Sequence, residues 1–226
     1  MNGRLRCIVF DMDDTLYLER DYVRSGFSHA GMLVQERFGV TGFSDAAWKL
    51  FLEGKRRNIF DLAFESIGMP PSKSVVRELV DVYRNHTPAI SLAEDAIHCL
   101  NSLTTKYDLA LISDGPIASQ TNKARALDLN RWIGLMILTD KWGTSFYKPH
   151  PRAFLTVQKV LGADPSECLY VADNPLKDFA APNALGWVTV RVRRHGGLHS
   201  DAISDEHHAT YQVQHLTTLI DIVSAI

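Results

Sequence analysis

CIVFDMDDTLYLER, residues 7–20, sets three aspartates within four positions directly behind the apolar run Ile8, Val9 and Phe10. The run reads as a buried strand and the acidic stretch as the loop it releases. Two unit charges about 4 Å apart repel by roughly 4 kcal/mol even at an effective dielectric of about 20, so the cluster calls for a cation or a solvated turn. What the rest of the chain delivers to the same place decides between them.

Apolar runs with β-branched content recur at 5–10, 109–113, 135–139, 168–172 and 187–192, each a candidate buried parallel strand. Segments of helical period lie near 93–104, 117–128, 150–161 and 176–185. Such alternation predicts an α/β fold with a doubly wound parallel sheet. Residues 18–87 break the pattern. Val23, Gly26, Phe27, Ala30, Leu33 and Val34 follow helical spacing, as do Trp48, Leu52, Ile59 and Leu62, and again Val76, Leu79, Val80 and Tyr83. Turn signals at 39–44 and 68–72 separate these helices, with Ser44 and Ser72 placed as N-caps. The expected organisation is a core made of 1–17 and 88–226, interrupted after its first strand by an all-helical insertion at 18–87.

With 226 residues and 46% hydrophobic content, the chain is long enough for one domain and a sizeable insertion. A formal net charge of −2 gives no reason to expect a nucleic-acid or membrane partner, and no run of 18 apolar residues could span a bilayer. The opening MNGRLRCIVF lacks the pattern of a secretory signal. Cys7, Cys99 and Cys168 are odd in number, far apart and never spaced C-x-x-C, so they read as small buried apolar residues in a reducing, cytoplasmic setting.

In an open α/β sheet, ligands bind at the carboxyl ends of the strands. The first predicted strand releases Asp11, Asp13, Asp14 and Thr15 there; the second, Ser113, Asp114 and Gly115; the fourth, Asp173, Asn174 and then Asp178. TSFYKPHP at 144–151 follows the third and carries Lys148. Each signal alone also fits a turn, a surface lysine or a helix cap. Together, Asp11, Asp13, Asp173 and Asp178 form a carboxylate cluster suited to a hard cation, while Lys148 and the Ser113 hydroxyl suit phosphate oxygens. That combination points to phosphoryl transfer.

These residues resemble the four motifs of the haloacid dehalogenase superfamily: DMDDT at 11–15 its D-x-D-x-T, LISDG at 111–115 its strand ending in Ser or Thr, YKPHP at 147–151 its lysine motif, and VADNPLKDF at 171–179 its acidic pair. The helical insertion matches the position of the family's C1 cap. The resemblance implies a phosphatase in which Asp11 attacks phosphorus and Asp13 protonates the leaving alcohol and later deprotonates water. It further implies Mg²⁺ held with the main-chain carbonyl of Asp13 and the Asp173 carboxylate, and Asp178 acting through water or by orienting Lys148. One position departs from the family: Ala172 stands where Gly is usual, a change that would strain a left-handed backbone.

Asp14 and Thr15 are expected to hold the loop through local hydrogen bonds. Substrate binding is expected at Ser113, Asp114, Gly115 and Lys148, with Arg20 and Arg24, one helical turn apart, as candidates near the hinge of the insertion. GKRRN at 54–58 offers another basic patch; His86, His150 and His195 read as surface or capping residues, and RVRRHGGLHS at 191–200 carries no recognisable chemistry. The implied substrate is a small phosphorylated metabolite, a sugar phosphate or nucleotide being the candidates. The alternative is a phosphomutase of the β-phosphoglucomutase kind; a silent binding module is a reading from another class. Dehalogenase chemistry has no alkoxide to protonate and so no use for Asp13.

Overall fold

The computed structural model describes residues 5–70, 72–204 and 207–226. Residues 1–4, part of the segment judged for a secretory signal, and Pro71, in the turn predicted at 68–72, lie outside them. The chain divides into two compact units, one running up to Arg20 and resuming at Ser91–Ile226, the other Asp21–Ile90. The sequence expectation put the divisions at 17/18 and 87/88.

The first unit is built on six strands: β1 (Cys7–Phe10), β2 (Asp108–Ser113), β3 (Leu135–Leu138), β4 (Cys168–Ala172), β5 (Val188–Val192) and β6 (Tyr211–Val213). They run parallel in the order β3-β2-β1-β4-β5-β6, the doubly wound arrangement in which strand order reverses beside β1. Register is set by burial on both faces. Cys7 and Val9, Ala110 and Ile112, and Cys168, Tyr170 and Ala172 face one way, onto Phe154 and Val157 of α7 (Arg152–Leu161) and Ala181 of α8 (Ala180–Leu185). The alternate residues Ile8, Phe10, Leu109, Leu111, Leu169 and Val171 are equally buried, so the opposite face is covered too. Helices α5 (Glu94–Leu103), α6 (Ile117–Ala126) and α9 (Thr217–Ala225) complete this unit.

The second unit contains α1 (Glu19–Phe38, whose first two residues belong to the first unit), α2 (Phe43–Leu52), α3 (Ile59–Ser66) and α4 (Lys73–Asn85). Phe27, Phe43, Phe51, Phe60, Phe64 and Tyr83 form its aromatic core. A Cβ on Gly26 would lie 2.4 Å from the Tyr83 ring, so glycine is what lets α1 approach it.

Several local expectations are corrected. The spacing that ran from Trp48 to Leu62 is broken into α2 and α3, because Gly54 at φ +86° and the bonds from Gly54 and Lys55 back to Phe51 and Leu50 end α2. Ser72 caps α4, accepting from Val75 N at 3.3 Å, but Ser44 is not a cap: α2 starts one residue earlier, after left-handed Gly42. The segment expected to be helical from 176 begins only at Ala180, after a turn in which Asp178 N donates to Asn174 O. Strand β6 was not expected; it is three residues long and only Val213 is buried. Among the described residues no helix is long and apolar enough to cross a membrane.

Candidate active site

β1 and β4 are neighbours, and the loops leaving their carboxyl ends bring Asp11, Asp173 and Asp178 together. Asp11 is fixed by its main-chain N–H, which donates to Val171 O at 2.8 Å. One oxygen from each of the three buried carboxylates lies within 4.8 Å of the others. Lys148 enters from the segment after β3, its Nζ 2.5 Å from Asp11 Oδ1, 2.8 Å from Asp178 Oδ1 and 2.9 Å from the Tyr170 hydroxyl. Asp178 Oδ2 accepts from Asn174 N at 3.0 Å, which closes the turn after β4.

The electrostatics are those of too many carboxylates for one lysine. Burial pushes Asp11 up to about 6 against the pull of Lys148, with Asp178 adding to the rise. Burial, then Asp178 and Asp11, push Asp173 well above the usual carboxylate range. Burial would lower Lys148, but Asp11 and Asp178 hold it well above an ordinary lysine. Asp173 Oδ2 is buried without a hydrogen-bond partner. An all-oxygen donor set with one orphaned carboxylate oxygen fits a hard divalent cation.

Asp13 departs from the expected cluster. Its carboxylate lies outside the Asp11, Asp173 and Asp178 group and is held by Lys123 Nζ, 2.8 and 2.9 Å from its two oxygens, and by the Tyr17 hydroxyl. The ammonium of a buried lysine draws it away from its neighbours on the loop. Burial works to raise Asp13, yet Lys123 and Tyr17 together hold it below the usual range. Asp14 does hold the loop as expected, accepting from Glu19 N and Leu198 N at 2.9 and 2.7 Å. Thr15 does so through its main-chain oxygen, which takes the Arg194 guanidinium; its buried hydroxyl makes no hydrogen bond.

The second-strand residues support one another. Ser113 donates its hydroxyl to Gln120 Oε1 at 3.1 Å, and Asp114 spends its carboxylate on Thr139 Oγ1, Lys148 N and Lys177 Nζ, so it fastens the lysine segment to β2. Gly115 sits at φ +119°, where a Cβ would lie 2.6 Å from Gln120 Nε2. The two arginines part company: Arg20 belongs to the sheet unit, near the Gly196 turn, whereas exposed Arg24 belongs to the helical unit with its guanidinium over Trp48. Arg56 of the 54–58 patch caps α2 by donating to Phe51 O at 2.7 Å. His150 accepts from Arg152 N at the start of α7 and His86, though buried, caps the end of α4, both capping roles; His195 is exposed. Ala172 ends β4 in extended backbone, so its Cβ brings no strain.

A family model for haloacid dehalogenase-like hydrolases matches residues 5–186. The chain belongs to this family. The resemblance read from the four motifs, the parallel-sheet fold and the assignment as a hydrolase are thereby borne out. A glyceraldehyde 3-phosphate phosphatase of Methanopyrus kandleri is 25% identical over 228 residues, 97% of each chain. An N-acetylmuramic acid 6-phosphate phosphatase of Pseudomonas aeruginosa is 25% identical over 223 residues, 97% of this chain and 95% of the other. Both accord with an enzyme acting on phosphoric monoesters. Among solved structures, a magnesium-bound HAD-hydrolase from Bacillus subtilis superposes with a TM-score of 0.69 at 18% identity, covering 98% of this chain and 99% of that one, a likeness of fold.

The sequence reading missed Lys123, Tyr17, Gln120 and Lys177. A signal existed for two of them: Gln120 and Lys123 share the inward face of α6 with Ala124 and Leu127, an odd place for a solvated lysine.

Proposed function

We propose that this hydrolase is a Mg²⁺-dependent phosphatase of a small phosphorylated metabolite, with a sugar phosphate the favoured class because both relatives above carry such substrates in their names. The observation that carries the reading is the meeting of Asp11, Asp173 and Asp178 with Lys148 at the carboxyl ends of β1 and β4. Asp11 Oδ attacks phosphorus; the new O–P bond forms as the ester P–O bond breaks, and the leaving oxygen takes a proton from the Asp13 carboxyl. Water then attacks the aspartyl-phosphate, its proton passes to Asp13, and the electron pair of the broken bond returns to the Asp11 carboxylate. Lys148 fixes Asp11 in place and offers positive charge to the transferring group. Asp11, Asp173 and the main-chain carbonyl of Asp13 would hold the cation, whose charge offsets the repulsion between carboxylate and phosphate. Three buried free cysteines support a reducing, cytoplasmic compartment.

The test is acid-quench mass spectrometry after mixing with p-nitrophenyl phosphate, beside a phosphate-release screen over sugar phosphates, nucleotides and phosphorylated acids with and without Mg²⁺. Wild type should carry a phosphoryl adduct on Asp11, and Asp11→Asn should show neither adduct nor turnover. An adduct on another residue, or full activity in the variant, would defeat the reading, and an isomerised sugar phosphate would move it to a mutase.

A further inference from the structure

Helix α6 buries a lysine for which the mechanism above has no use. The Lys123 side chain is 3% exposed, and its Nζ spans both oxygens of Asp13. Taking an ammonium out of water is costly, and an ion pair of this kind seldom gains more stability than an apolar side chain of the same size would. Folding alone therefore gives no reason to keep it.

A geometric reason is available. Asp13 stands on a loop, next to Asp14 in left-handed backbone, and among the described residues its carboxylate meets no main-chain donor that would fix its rotamer. Helix α6 supplies the missing donors through Lys123, and the loop's own buried Tyr17 adds a hydroxyl that meets Oδ1. Tyr17 is buried, as is Gln120 one turn before Lys123, where it takes the Ser113 hydroxyl, so one helix face serves two motif residues. Donors on both oxygens match the carboxylate form, the form that receives a proton from water.

We propose that Lys123 is a positioning residue that holds the Asp13 carboxylate in place for the second half of the reaction, in which water displaces Asp11 from phosphorus. The inference rests on the reading of Asp13 given above. In that half the water oxygen bonds phosphorus, the bond from phosphorus to Asp11 breaks with its electron pair returning to Asp11, and the water proton passes to Asp13. Formation of the adduct from p-nitrophenyl phosphate, whose leaving group needs little protonation, depends far less on where Asp13 sits.

The experiment separates the halves by rapid mixing with p-nitrophenyl phosphate, following the nitrophenolate burst and, after quenching, the decay of the Asp11 adduct. Lys123→Met should keep its burst rate within about threefold while adduct decay slows by about 10–100-fold, the order of loss that a misplacement near 1 Å brings. Tyr17→Phe should shift the same ratio in the same direction, and Lys123→Arg should restore most of the decay rate. Unchanged decay in Lys123→Met, whatever Tyr17→Phe shows, or burst and decay falling together as they would in a merely unstable protein, overturns the proposal. Asp13→Asn serves as the control: if its own adduct decays at the wild-type rate, the role of Asp13 fails, not only that of Lys123.

Discussion

At the residue scale, the orphaned Asp173 oxygen makes the sharpest demand, since a buried carboxylate oxygen without a partner costs free energy that a bound cation recovers. Magnesium at about 100 times its Kd should add about 2.7 kcal/mol, roughly 5–10 °C in Tm for a chain of this size. Asp173→Asn should abolish most of that upshift. Asp178→Asn should keep more of it while lowering the metal-free Tm, because Asp178 also holds Lys148 and the Asn174 N–H. Differential scanning fluorimetry across a magnesium series distinguishes the cases; equal upshifts in wild type and Asp173→Asn would remove Asp173 from the ligand set. Asp11 and Asp173 could be read in advance because a strand end is a place the apolar pattern marks, and Lys148, ten residues past β3, through its YKPHP motif. Lys123 was legible only through its spacing from Ala124 and Leu127, since one lysine on a helix looks like any solvated lysine until that face is known to turn inward.

At the scale of elements, the run 191–200 changes its meaning. It read as a loop without chemistry, yet Arg191 Nε donates to Asp173 O at 3.1 Å, and Arg194 grips Thr15 O at 2.8 Å and Asp95 Oδ1 at 2.8 Å. Asp95 in turn accepts from Leu216 N at 2.7 Å, so one arginine ties the loop after β1 to α5 and to the start of α9. The Arg194 and Asp95 side chains are 10% and 14% exposed, and removing one member of a pair this buried costs roughly 3–5 kcal/mol. Arg194→Met should lose about that much by urea denaturation at pH 7. The gap should depend on pH: burial works to raise Asp95, but the Arg194 and Leu216 hydrogen bonds hold it below its usual value. A depressed carboxylate gives stability that is present above its unfolded pKa of about 3.9 and lost as pH falls through the folded value, so wild type and variant should converge below about pH 4. A gap that is constant from pH 7 to 3 would count against this account. Sequence pattern could not expose the brace, because its partners are main-chain carbonyls and amides far apart in the chain. The same limit explains β6, whose three residues bury one side chain, and the break between α2 and α3, where backbone geometry at Gly54 overrides helical spacing.

At the scale of the whole molecule, five of the six strands and the all-helical insertion were legible, because strands buried on both faces are written as continuous apolar runs and the insertion keeps a helical period throughout. What was not legible is how the sheet unit manages with a long excursion after β1. The structure answers with one hydrogen bond: Ala93 N donates to Leu16 O at 3.0 Å, so the chain re-enters the sheet unit beside the point where it left. The contacts that fix the β1 loop, Asp14 with Glu19 and Leu198 and Arg194 with Thr15 and Asp95, all lie within that unit. Joining Arg20 to Ser91 by a short Gly-Ser linker should therefore give a protein that unfolds cooperatively, since a compact unit with its own core can in principle fold alone. It should still form the Asp11 adduct from p-nitrophenyl phosphate. The insertion matches the position of a C1 cap, a resemblance that implies substrate selection by the helical unit, so the shortened enzyme should lose discrimination among sugar phosphates before it loses reaction with the activated ester. Melting followed by circular dichroism and a kcat/KM panel test the two parts separately. An aggregated product would show that the sheet unit depends on residues 21–90 to fold, and a folded product that kept the parent's order of substrates would take selection away from the helices and return it to the strand ends.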